Sequence, residues 1–272
     1  MTPSYFTHSE LAAALRLQVE MGIDTALIDI PVPHAQLESK VIGGHQQSQP
    51  PPASRTPDPI LSSNKALSVS ASPRMPDLDL STVQTLDELR QVIERFDGCA
   101  LKKTASNLVF ADGNPKAEIM IVGEAPGGDE DRMGLPFVGA AGQLLDKMLA
   151  SIGLDRQHVY ITNILPWRPP GNRTPSPEEI SLMWPFLRRH IQLKSPKMIL
   201  SLGGSSAKLL LNTTIGILKL RGQVKEIDFG EPDQTNIIPV LPSLHPAYLL
   251  RAPKMKQQAF HDLLALKSMY RG

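Results

Sequence analysis

The sequence predicts a three-layer α/β/α domain with a central four-stranded parallel sheet, on three observations. Four short apolar runs rich in β-branched residues punctuate the chain: AEIMIVG (117–123), VYITNIL (159–165), KMILSLG (197–203) and NIIPVLPS (236–243). Stretches of helical periodicity separate them, at 139–152, 177–194 and 204–211. Runs that are apolar on both faces and alternate with helices fit a parallel sheet covered on both sides. Finally, each run leads into glycine, proline and polar residues: GEAPGGDED, TNILPWRPPGNR, LGGSSA and PSLHPAYLLR. In open sheets of this kind ligands bind beyond the carboxyl ends of the strands, so these four ends predict the site.

The remaining elements are read in chain order. Residues 8–28 predict an amphipathic helix, with Leu11, Leu15, Val19 and Met21 near helical spacing and Ser9 as its cap. Residues 31–78 hold nine prolines, and no aromatic residue occurs between Phe6 and Phe96. A segment so poor in large side chains cannot offset its ordering entropy, which predicts a disordered linker over 31–80. A globular domain then occupies 81–272. It opens with a helix over 84–96 capped by Thr82 or Thr85. Alternation around a glycine turn predicts a small hairpin within 217–229.

Composition narrows the function. The single cysteine, Cys99, excludes an internal disulfide framework and any metal site built on several thiolates. No stretch approaches the roughly 18–20 apolar residues that would span a membrane. The first residues lack the basic start and apolar run of a signal peptide, so a cytoplasmic protein is expected. Net charge is −3 over residues 1–80, from five Lys/Arg against eight Asp/Glu, and +4 over 81–272, from 23 against 19. A mildly basic domain is compatible with a polyanionic partner.

Taken singly, the residues at the strand ends have plain structural readings. Asn163 is a turn or cap residue, His245 before a proline is a loop histidine, Phe137 is core, Glu124 caps a helix, and Glu130 and Asp131 are solvated acids. Together they offer more. An aromatic face, an amide with donor and acceptor, a histidine and one or two carboxylates would hold a planar heterocycle, read its polar edge and meet charge on a ring oxygen. Those are the needs of N-glycosidic bond hydrolysis on a flipped-out base.

Residues from about 93 to 270 resemble the family 4 uracil-DNA glycosylases, bacterial and archaeal enzymes that usually carry a [4Fe–4S] cluster. Five blocks in the family's order carry the resemblance: GEAPGGDED (123–131), GLPFVGAAGQLL (134–145), YITNILPWRPPGNRTPSPEE (160–179), KMILSLG (197–203) and HPAYLLR (245–251). The resemblance implies that Glu124–Gly127 with Glu130 correspond to the first catalytic motif, that Gly123 and Ala125 are among the small residues that let the backbone approach the base, and that Phe137 stacks on uracil. It implies that Asn163 reads the base edge and that His245 stabilises charge on uracil O2. Leu249, Leu250 and Arg251 would fill the gap left by the flipped nucleotide. Ala125 stands where classical uracil glycosylases have aspartate, so Glu124 and Glu130 become the candidates for handling water. Arg168 and Arg173, in RPPGNR, and Ser205 with Lys208 are candidate contacts to the DNA backbone. No histidine lies between His158 and His190, which disfavours a covalent variant of the chemistry.

The family's four cluster cysteines fall at Phe96, Cys99, Trp167 and Met183. With one ligand of four, no cluster is expected and neither is another cofactor; an apolar plug around Cys99 is expected instead. The expected partner is uracil-containing DNA, single- or double-stranded, met by a monomer with a possible protein partner at the N-terminal helix. Two other readings stand beside this one: a non-catalytic module that binds damaged DNA, and a glycosylase for another base.

Overall fold

A computed structural model describes residues 80–231 and 234–271. The helix expected at 8–28 lies outside the described residues, as does the linker except for Leu80, which is buried in the core.

The first described helix, α1 (Leu86–Arg95), starts where the sequence supplies a reciprocal cap. Thr85 Oγ1 accepts from the Glu88 N–H at 3.1 Å, and Glu88 Oε2 accepts from the Thr85 N–H at 3.3 Å. Such a cap contributes about 1 kcal/mol. Of the two candidate threonines, Thr85 is the cap. A two-residue strand β1 (Asp112–Gly113), strand β2 (Ile119–Gly123), helices α2 (Gly128–Met133) and α3 (Ala140–Ser151), and strand β3 (Val159–Asn163) come next. Helix α4 (Pro177–Lys194) has the same kind of start: Ser176 Oγ accepts from the Glu179 N–H, and Pro177 occupies the first turn. Then come β4 (Met198–Leu202), α5 (Gly204–Leu210), α6 (Ile217–Leu220), β5 (Lys225–Asp228), β6 (Ile237–Ser243), α7 (Pro246–Arg251) and α8 (Lys256–Arg271).

The strands form one sheet in the order β1-β3-β2-β4-β6-β5. The four expected strands are its parallel centre, and the sheet is larger than expected by an antiparallel strand at each edge. The hairpin expected within 217–229 does not form. Residues 217–220 are helical, Gly222 turns the chain at φ +73°, and β5 pairs instead with β6 downstream. The alternation is that of an exposed edge strand, and such a pattern does not show on which side its partner lies.

Side-chain alternation divides the core. Met120, Val122, Tyr160, Ile199 and Val240 face α1 and α4, whereas Ile119, Ile121, Val159, Ile161, Leu200 and Leu241 face α3 and α8. Two registers bring the strand ends together. Gly123 lies opposite Asn163 at the ends of β2 and β3, and Leu202 lies opposite Ser243 at the ends of β4 and β6, two residues before His245.

Under the first layer, His190 is stacked on Phe110 with ring centroids 4.4 Å apart, and its Nε2 lies 2.8 Å from Tyr160 Oη. Burial, reinforced by Lys194, pushes His190 down to about 3 from an ordinary 6.5. The folded state therefore binds fewer protons than the unfolded chain. Stability is complete above pH 6.5 and is lost as pH falls toward the folded value. Urea unfolding is expected to show a loss of about 2–3 kcal/mol between pH 6.5 and 4.5 from a group so placed, and His190→Gln should flatten that slope. An unchanged slope would show that His190 is not held neutral.

Candidate active site

The β2–β3 register places two chain ends side by side, and the absence of a side chain at Gly123 lets a third element in. A Cβ on Gly123 would lie 2.3 Å from Asn163 Oδ1 and 2.7 Å from the tip of the Phe137 ring. Only glycine permits that approach. Phe137, from the loop between α2 and α3, thus leans over the end of β2. His245, following β6, is stacked with the Phe137 ring, with centroids 5.5 Å apart and planes inclined by 30°. Gly123, Phe137, Asn163 and His245 thus lie together at the strand ends.

Asn163 is 6% exposed, and its Oδ1 is buried without a hydrogen-bond partner. A buried amide oxygen left unpaired costs free energy that a ligand with a matching N–H would recover. His245 caps α7: its Nδ1 accepts from the Ala247 N–H at 3.1 Å. That places the proton of the neutral ring on Nε2. Burial, with the Arg251 charge adding to it and Glu130 opposing it, brings His245 down to about 4. At neutral pH the ring is an uncharged donor.

The carboxylates divide. Glu130 is buried, and three backbone N–H groups engage both of its oxygens: Gly127 at 3.1 Å on Oε2, and Val138 and Gly139 at 3.0 and 2.8 Å on Oε1. It ties the loop carrying Phe137 to the start of α2. Asp131, which resembles a solvated acid in the sequence, is buried and accepts from the N–H groups of Ser106 and Asn107 at 2.7 and 3.2 Å. Glu124 remains half-buried, with one oxygen receiving the Ser205 hydroxyl at 2.5 Å. Ser205, expected at the DNA backbone, spends its proton on Glu124. Ala125 packs against the first core layer.

The rim corrects part of the sequence reading. Leu249 is 1% exposed and belongs to the core under α3 and α8, so it cannot act as a wedge. Leu250 projects at 45% exposure, next to exposed Arg251. Arg173 forms a two-pronged pair with Glu179 at 2.6 and 2.9 Å, which occupies it at the start of α4. Arg168 is bound to Asn172 Oδ1 at 2.7 Å and lies 3.4 Å from where a Gly128 Cβ would stand, beside α2. Lys208 is exposed on α5.

Comparison with known proteins agrees with this geometry. The Uracil DNA glycosylase superfamily matches residues 110–265. A type-4 uracil-DNA glycosylase of Archaeoglobus fulgidus is 43% identical over 187 residues, 66% of this chain and 90% of the relative. Type-4 enzymes of Sulfurisphaera tokodaii and Pyrobaculum aerophilum are 38% and 41% identical, covering 69% and 65% of this chain and 86% and 91% of the relatives. The chain belongs to the uracil DNA glycosylase superfamily.

The four positions at which the sequence resemblance implies cluster cysteines lie within the described residues. Phe96, Cys99, Trp167 and Met183 are all buried, and all belong to the first core layer. Phe96 meets Phe186 with ring centroids 4.9 Å apart. Burial also raises the Cys99 thiol above its ordinary value, which opposes the thiolate that a metal needs. One thiol among two aromatic rings and a thioether does not fit a [4Fe–4S] centre. Each of the three large apolar side chains contributes roughly 1.5–3 kcal/mol by burial. Among the described residues no helix is long and apolar enough to cross a membrane.

Proposed function

We infer that this chain is a uracil-DNA glycosylase, hydrolysing the N-glycosidic bond of deoxyuridine in DNA to release uracil and leave an abasic site. The observation that carries the reading is the unpaired, buried Asn163 Oδ1 beside the Phe137 ring. A flipped uracil stacked on Phe137 would give its N3–H to Oδ1 and receive the amide N–H on O4. Cytosine presents the reverse pattern and leaves both groups unpaired.

As the C1′–N1 bond breaks, its electron pair goes to uracil, and the negative charge spreads onto O2. A neutral His245 donates from Nε2 to that oxygen, a preorganised donor acting where charge develops. Water adds to C1′ of the cationic sugar and loses a proton, and uracil finally carries a proton on N1. Glu124 is the acid we assign to the water and the sugar, because its second oxygen is not taken by the Ser205 hydroxyl. Glu130, buried with both oxygens engaged by backbone N–H groups, holds the loop. Leu250 is the wedge, and Arg168, Arg251 and Lys208 meet phosphates.

The enzyme works as a cytoplasmic monomer without metal or organic cofactor, and the sequence N-terminal to the domain is the segment we assign to a protein partner. Protein grown without iron and treated with EDTA is expected to be colourless, to keep its melting temperature and to release uracil from single- and double-stranded oligonucleotides. Binding of uracil-DNA without release would favour a non-catalytic module instead. Iron in stoichiometric amount would overturn the cofactor-free reading.

A further inference from the structure

Phe137 has an unusual backbone. Its φ is +54°, a left-handed conformation that a bulky side chain adopts only where its surroundings force it. The loop is held from both sides. Glu130 takes the N–H groups of Val138 and Gly139. From the opposite side Arg156 takes the carbonyls: Nη2 donates to Phe137 O, and Nη1 reaches Pro136 O at 3.4 Å. Arg156 is itself anchored. Its Nε donates to Asp146 Oδ1 at 2.9 Å, its Nη2 reaches Asp146 Oδ2 at 3.4 Å, and its Nη1 donates to Asp112. Each of the five guanidinium N–H groups thus has its own acceptor. A Cβ at Gly142, on α3, would fall 1.7 Å from Phe137 O, so the helix gives up a side chain to let that carbonyl in.

Resting on the uracil-stacking reading of Phe137, we propose that Arg156 is a positioning residue that holds the ring over Gly123 and so sets the rate of base release. Arg156 touches neither base nor sugar; it acts through the carbonyls of Pro136 and Phe137. Without it Phe137 relaxes to negative φ and its ring swings away from Gly123 and His245. Lysine cannot replace it, since one ammonium cannot span two carboxylates and two carbonyls in a fixed plane.

A double-mutant cycle on a uracil oligonucleotide tests this. Arg156→Met is expected to lower kcat/KM at least about tenfold in the wild-type background and less than about threefold in Phe137→Ala, because the ring through which it acts is gone. Equal losses in both backgrounds would show Arg156 serving the fold alone. Arg156→Lys is expected to recover little of the loss, and full recovery would also overturn the proposal. A second readout needs no turnover. The Phe137 ring current shifts the His245 ring protons in the NMR spectrum, and Arg156→Met should abolish that shift. If Arg156→Met does not fold, Asp146→Asn retains the arginine, loosens its anchor and should reduce the shift. A His245 shift unchanged in the folded variant would sink the proposal even if the wild type released no uracil, an outcome that would count against the proposed function separately.

Discussion

Replacing His245 with alanine is expected to slow uracil release by about 10²–10³-fold, the usual cost of removing one donor to a developing oxyanion. Binding of uracil-free DNA should change little. The size of the effect comes from three features of the site: the ring is neutral, its Nδ1 is occupied by the Ala247 N–H, and Nε2 is therefore a fixed donor. Alanine also removes the cap of α7, worth about 1 kcal/mol of stability. His245→Ser separates the two losses, because serine caps a helix N-terminus but cannot reach the base. It should restore the melting temperature and leave the rate low. The pH profile makes a further demand. With His245 near 4, lowering the pH from 8 to about 5 should not charge the ring, and any loss through His245 belongs below that. A limb assigned to His245 near its ordinary value would mean that the ring charges where the fold keeps it neutral.

The second large effect is expected at Asn163. Asn163→Asp replaces the N–H donor with oxygen and puts a carboxylate at a position only 6% exposed, next to Phe137 and the bare backbone of Gly123. Uracil O4 then faces an acceptor, and the two repel. A site built on polar pairing rejects a partner that leaves it unpaired by about 10⁴-fold, so kcat/KM on uracil should fall by about 10³ or more, as loss of one of the two bonds implies. Discrimination against cytosine should narrow at the same time. Measuring both bases in one sequence context checks it. A variant that loses activity equally on every substrate, with a lowered melting temperature, would show Asn163 supporting the turn rather than reading the base.

How much of the molecule is legible in its sequence depends on the range of the interactions. The central strands β2, β3, β4 and β6 are continuous apolar runs, and the starts of α1 and α4 are written within four residues as Thr85–Glu88 and Ser176–Glu179. Both signals are local. The edge strands are polar and short, so β1 leaves no readable pattern and the alternation of β5 does not name its partner. At the site, the motifs mark Phe137, Asn163 and His245, but a motif does not show which way a side chain faces. Leu249 and Leu250 are adjacent and similar, yet one is buried and the other exposed. Glu130 and Asp131 resemble surface acids because their partners include backbone N–H groups 8 to 25 residues away. Arg156 gives no signal: it sits in the polar stretch LDRQH, and its acceptors lie 10 to 44 residues earlier in the chain. Only its charge beside an apolar run marks it, and many solvated arginines share that trait.

The buried thiol has a practical consequence. The chain holds one cysteine, and it is 1% exposed. In the native state a thiol reagent has nothing to label, so the rate at which Cys99 reacts becomes a clock for opening of the layer beneath α1 and α4. Conversely, a cysteine introduced at the rim, at Leu250 for example, is the one reactive handle on the folded protein. A fluorophore or cross-linker attached there would report on the approach of DNA with no background from the native thiol.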